Sequence, residues 1–147
     1  MSESRQFDII VYGATGFTGK LVAEYMVARQ GHGLRWAMAG RSADKLAAVR
    51  DDIGAPADTP LVVADADDGA SLAAMATSTR CIISTVGPYQ LYGSALVAAC
   101  AEAGTDYVDL CGEPLWMRDM IANYDAAARA SGARIVHSCG FDSIPFD

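Results

Sequence analysis

The segment that most limits how this chain can fold is Tyr12-Gly13-Ala14-Thr15-Gly16-Phe17-Thr18-Gly19. It follows FDIIVY (Phe7 to Tyr12), a short apolar run rich in β-branched residues, the pattern of a strand covered on both faces. It opens a stretch of helical spacing from about Gly16 to Arg29, predicted to bury Leu21, Val22, Tyr25 and Met26. Strand, glycine loop and helix, in that order, form the context in which such glycines hold the pyrophosphate of a dinucleotide. Gly13 permits the tight turn, Gly16 lets the backbone approach a pyrophosphate, and Gly19 lets the helix sit close on the strand. The helix N-terminus then offers free N–H groups and partial positive charge to the phosphates. The spacing is GxxGxxG rather than GxGxxG, which keeps the role of Gly16 and shifts the turn slightly.

Apolar runs alternate with helix-like stretches from end to end. Leu34 to Ala39, Leu61 to Ala64, Cys81 to Val86, Tyr107 to Leu110 and Arg134 to Ser138 are the further predicted strands. Ala-rich helices fall near Ala43 to Asp52, Ser71 to Ala76 and Ser94 to Ala103. A stripe of Met117, Met120, Ile121, Tyr124 and Ala128 fits one more helix packed on a sheet. This alternation predicts an α/β fold, a Rossmann-type doubly wound parallel sheet of about six strands with helices on both faces. The 147 residues fit one compact domain, so residues 1–147 read as a single dinucleotide-binding domain.

The type of dinucleotide follows from the end of the second strand. An NAD-selective site places an acid there, on the ribose 2′-hydroxyl. This chain reads Ala39-Gly40-Arg41-Ser42 instead. Arg41 suits a 2′-phosphate, with Ser42 donating a hydrogen bond and Lys45 adding charge one turn on, which points to NADP(H). Asp65 either holds the adenine amino group or caps the helix that begins near Gly69. The fourth strand ends at a Gly-Pro turn, so Val86, Gly87 and Pro88 are expected to line the nicotinamide side. Tyr89 and Tyr92 either flank that ring or are half-buried loop aromatics.

Composition removes several classes of function. Eighteen acidic against eleven basic residues, a net charge of −7, argue against nucleic acid or a polybasic membrane contact. No apolar run nears the ~18 residues of a membrane span, and the start MSESRQFD is polar, so a cytoplasmic protein is expected. Cys81, Cys100, Cys111 and Cys139 read as reduced thiols, with no metal-ligand cluster and no GxSxG elbow. Asp109 and Glu113 are polar candidates for the cleft, although Glu113 with Pro114 equally reads as the start of a helix. His137 reads as a satisfied core residue and His32 as a loop residue. Neither Lys20 nor Lys45 has a Tyr four residues before it, which excludes a Tyr-xxx-Lys short-chain reductase within these residues.

Taken together, FDIIVYGATGFTGKLVAEYM, AGRSADKL, STVGPYQLYGSALVAACAEAGTDYVDLCGE and GARIVHSCGFDSIPFD resemble the saccharopine dehydrogenase-like oxidoreductases. Within them the chain looks most like the trans-acting enoyl reductases of actinobacterial polyketide lipid assembly. The resemblance implies that Gly13, Thr15, Gly16 and Phe17 form the pyrophosphate loop, with Arg41 and Ser42 at the adenosine phosphate and Val86, Gly87 and Pro88 beside the nicotinamide. Family members carry a second α/β domain after this region. The resemblance therefore implies a fragment whose C-terminal substrate domain is absent, inactive alone. The implied activity is NADP-dependent reduction of an enoyl group on a small-molecule or carrier-bound lipid substrate. A saccharopine-reductase-like amino-acid dehydrogenase, a non-catalytic NADP-sensing module and a homo-oligomer stay open as alternatives.

Overall fold

The computed structural model describes residues 4–29 and 33–146; His32, read above as a loop residue, lies outside the described residues. Six strands form one all-parallel sheet in the order β3-β2-β1-β4-β5-β6. They are β1 (Phe7–Tyr12), β2 (Trp36–Gly40), β3 (Leu61–Val63), β4 (Thr79–Ser84), β5 (Asp106–Asp109) and β6 (Ile135–Val136). The helices are α1 (Phe17–Ala28), α2 (Ala43–Asp52), α3 (Gly69–Ser78), α4 (Tyr89–Tyr92), α5 (Ser94–Ala103) and α6 (Pro114–Ser131). The chain reverses direction across the sheet between β3 and β4, which leaves a crevice outside the carboxyl ends of β1 and β4.

Strand alternation distributes the core between two faces. Ile10, Ile82 and Tyr107, aligned across β1, β4 and β5, lie under Leu72 and Met75 of α3, Leu96 and Val97 of α5, and Trp116 and Met120 of α6. On the opposite face Val11 and Met38 pack with Ala23 and Met26 of α1 and Leu46 of α2. Each fully buried side chain of this size contributes roughly 1.5–3 kcal/mol.

The elements form where the sequence places them, and their ends and faces differ in instructive ways. The face of α1 that turns inward carries Gly19, Ala23 and Met26, while Leu21 and Tyr25 are exposed. At Gly19 the helix lies too close to the β1–α1 loop for any side chain, and room for a large one opens only further along, at Met26. In α6, Trp116 takes an inward place beside Met120 and Ala128, and Ile121 faces out. β4 begins at Thr79 and ends at Ser84, two residues earlier at each end than expected, because Thr85 and Val86 turn onto the crevice. β6 is shorter than Arg134 to Ser138 because the chain leaves the ladder at His137. Ser138 has a left-handed backbone (φ 60°) and its N–H donates to the Asp109 carboxylate at 3.0 Å.

Asp109 organises that end of the sheet. Its buried carboxylate accepts from the Tyr107 hydroxyl (2.8 Å), Cys111 N–H (3.0 Å), Ser138 N–H and His137 Nδ1 (2.7 Å). Burial opposes the charge, yet bonds from His137, Cys111, Ser138 and Tyr107 hold this carboxyl below its ordinary value of 3.8. Asp109 and His137 are therefore partners inside the structure, and Asp109 does not face the crevice.

A carboxyl lowered by folding adds stability above its unfolded pKa and loses it as pH falls through the folded one. Asp109→Asn is expected to cost about 2–3 kcal/mol at pH 7. The gap from wild type should begin to narrow only once pH falls below the ordinary carboxyl value of 3.8, which denaturant melts from pH 7 downward would read.

Candidate functional site

The crevice is a cleft of about 290 Å³ at the carboxyl ends of β1, β2, β3 and β4. Its floor is the glycine loop. Gly13 turns the chain with φ 87°, and a Cβ there would meet Thr85 Oγ1 at 2.5 Å and Val86 Cγ2 at 2.8 Å. A Cβ on Gly19 would stand 1.8 Å from the Gly13 carbonyl oxygen, so α1 rests directly on the loop. Gly16 differs from both. A Cβ there would meet only the Gly13 oxygen, at 3.5 Å, and the space beyond is open. Gly16 caps α1 with no side-chain hydrogen bond, leaving the first-turn N–H groups without intrahelical acceptors. A loop with an open cradle, facing unpaired donors at a helix start, fits a pyrophosphate.

The walls come from four strand ends. Tyr12, Thr15, Gly40 and Arg41 stand on one side with Asp65, Ala66 and Asp67. Thr85, Val86, Gly87 and Tyr92 stand on the other. The Thr85 hydroxyl donates to the Tyr12 carbonyl at 2.9 Å and lies 3.3 Å from that of Gly13, locking β4 to the loop. Burial, with the Asp65 carboxylate nearby, pushes the Tyr12 hydroxyl up to about 12, so it stays neutral.

The positive charge of the molecule is distributed unevenly. Seven of its eleven cations pair with a carboxylate: Lys20, Arg35, Arg50, Arg80, Arg118, Arg129 and Arg134. Arg5 caps main-chain carbonyls and Arg29 lies over the Tyr25 ring. Only the side chains of Arg41 and Lys45 make no hydrogen bond, ion pair or ring contact among the described residues, and they stand one helical turn apart at the start of α2. Both are exposed, and Arg41 lines the cleft. Two neighbouring cations without a protein anion fit a phosphate monoester such as the 2′-phosphate of NADP.

The family described as the saccharopine dehydrogenase NADP binding domain matches residues 9–136. The chain belongs to this family. It is an NADP-binding domain of that kind. A Mycobacterium tuberculosis relative is 56% identical over 144 residues, covering 97% of this chain and 34% of the relative. A Mycobacterium ulcerans relative, named trans-acting enoyl reductase, is 54% identical over 147 residues, covering 99% of this chain and 35% of the relative. The chain thus spans about a third of the length of the curated relatives it matches. The structure of saccharopine dehydrogenase (L-Glu forming) from Saccharomyces cerevisiae shares the fold, with a TM-score of 0.66 at 16% identity over 93% of this chain and 28% of that one.

Of the residues expected from sequence, the fold brings Gly13, Thr15, Gly16, Gly40, Arg41, Asp65, Val86 and Gly87 together on the cleft. Phe17, Gly19, Ser42, Lys45 and Pro88 stand behind or beside it. Phe17 is exposed at the first position of α1, and Gly19 packs beneath the loop. The Ser42 hydroxyl accepts from Lys45 N–H at 3.3 Å as the cap of α2, and Pro88, joined to Gly87 by a cis peptide, precedes α4. Three further expectations are corrected. Tyr89 does not flank the cleft, because its ring is buried against Trp116 and its hydroxyl donates to the Ser84 carbonyl at 2.9 Å. The cap of α3 is Asp68, while Asp65 accepts from Asp67 N–H at 2.9 Å. Glu113 does precede α6, but its carboxylate serves α4. Sequence reasoning singled out the stretches that hold Tyr12, Thr85 and Asp67 but gave these three residues no role of their own. A hydroxyl residue directly after the β4 run, level with the glycine loop, is the signal that marks Thr85.

Two of the loop glycines predict separable effects on folding. Gly19→Ala is expected to cost about 3 kcal/mol or more, since the clash is with backbone. Gly16→Ala is expected to cost less than about 1 kcal/mol. Denaturant titration of the two variants distinguishes them.

Proposed function

We propose that this domain holds NADP(H) for the reduction of an enoyl group on a carrier-bound lipid or polyketide, acting in trans in the cytoplasm. The observation that carries the cofactor part is the unpartnered pair Arg41 and Lys45, beside a strand end that lacks the acid of an NAD site. In this reading the 2′-phosphate lies between these side chains, with the Ser42 hydroxyl free to donate while its oxygen accepts from Lys45 N–H. The α1 N-terminus and Gly16 hold the pyrophosphate, Asp65 lies toward the adenine, and Val86 and Gly87 bound the nicotinamide. The bound cofactor supplies the hydride; the protein's share is binding, orientation and exclusion of water.

Support for the enoyl substrate is the name of the Mycobacterium ulcerans relative, matched across 99% of this chain. Support for a second, substrate-bearing domain is the relatives' greater length together with one face of the sheet. Ile83, Val108 and Val136, aligned on β4, β5 and β6, point away from α3, α5 and α6, and none is fully buried. Parallel sheets are covered on both faces, so this apolar row calls for more protein.

Arg41→Ala is expected to weaken NADPH binding at least about tenfold while leaving NADH nearly unchanged, with Lys45→Ala acting in the same direction and less strongly. Calorimetric titration of both nucleotides reads this, and equal losses for both would overturn the 2′-phosphate assignment. A protein of the relatives' length is expected to oxidise NADPH in the presence of an enoyl thioester, whereas the 147-residue chain alone is expected to bind NADPH without turnover. Binding with no turnover in the longer protein would favour a sensing role.

A further inference from the structure

One wall of the cleft is held from a distance. Thr85, Val86 and Gly87 line the cleft, the chain then leaves it at Pro88, and it returns four residues later with Tyr92. This excursion is the single-turn helix α4, and its own cap residue, Pro88, offers no side-chain acceptor. The first-turn donors are met instead by a residue 24 positions further along. Glu113 Oε2 accepts from Tyr89 N–H at 2.7 Å and Oε1 accepts from Gln90 N–H at 3.1 Å.

Glu113 is itself well fixed. It directly precedes the 18-residue helix α6, and its own N–H lies 3.3 Å from Cys111 Sγ, a residue tied through its N–H to Asp109. Tyr89, the residue it grips, is anchored by Trp116 and by the Ser84 carbonyl. The start of α6 therefore sets where Gly87 and Tyr92 stand relative to the glycine loop. Both carboxylate oxygens are engaged by N–H donors. Glutamine offers one acceptor oxygen, so its NH₂ would be turned against the second donor.

We propose that Glu113 is a positioning residue for the nicotinamide side of the cleft, acting through the backbone of α4 and not by touching the cofactor. This rests on the reading of the cleft given above. The side chain governs how well the wall formed by Gly87 and Tyr92 receives the nicotinamide, and it leaves the adenosine side, some strands away, unaffected.

The test uses two probes, NADPH and adenosine 2′,5′-bisphosphate, which carries the adenosine and 2′-phosphate without the nicotinamide. Glu113→Gln is expected to lower NADPH affinity about tenfold and to keep the bisphosphate within about twofold. The fluorescence change of the bound nicotinamide should shrink in parallel. Equal affinities of wild type and variant for NADPH would overturn the proposal, as would equal losses for both probes, which mean general unfolding. Failure of the wild type to bind the bisphosphate would instead overturn the reading of the cleft. Hydrogen exchange on the wild type keeps the proposal testable if the variant does not fold. The Tyr89 and Gln90 amides should be protected and gain protection with NADPH but not with the bisphosphate; free exchange at both would overturn the proposal.

Discussion

The contact between α1 and the loop beneath it governs this structure. With no side chain at position 19, the helix comes down onto the Gly13 carbonyl, closer than any Cβ would allow. That approach aims the first turn of α1 across the end of β1, and it also sets which face of the helix looks inward. Ala23 and Met26 follow Gly19 into the core, and Leu21 and Tyr25 are turned to solvent. A position that lacks a side chain thus decides where several large ones go, because packing density tolerates no overlap and no gap.

A second organising centre lies at the far end of the crevice. Asp109 gathers the ends of β5 and β6 through four donors, and the loop it steadies leads into Glu113, which grips α4. The two carboxylates do work that their sequence context does not announce. One satisfies backbone and side-chain donors in the interior, where an unpaired charge is costly. The other completes a helix too short to cap itself.

Surface charge has a similar logic. A chain of net charge −7 has acids to spare, and nine of its cations are engaged by carboxylates, carbonyls or an aromatic ring. That Arg41 and Lys45 stay without a partner in such surroundings is informative, since an anion brought to this place displaces no existing pair. The residue types were legible in the sequence. That neither forms an ion pair with the acids around it was not.

Local chemistry in the sequence determined the strand–loop–helix start, the six-stranded parallel sheet and most of the cleft floor. Glycine spacing, hydrophobic period and the missing acid after β2 act within short stretches of chain, where each residue reports on its neighbours. Tertiary structure alone decided the phase of α1, the burial of Tyr89, the partnership of Asp109 with His137, and the reach of Glu113 to α4. Each of these depends on groups brought together from separate strands and helices, and a donor meets its acceptor there only once the sheet has formed.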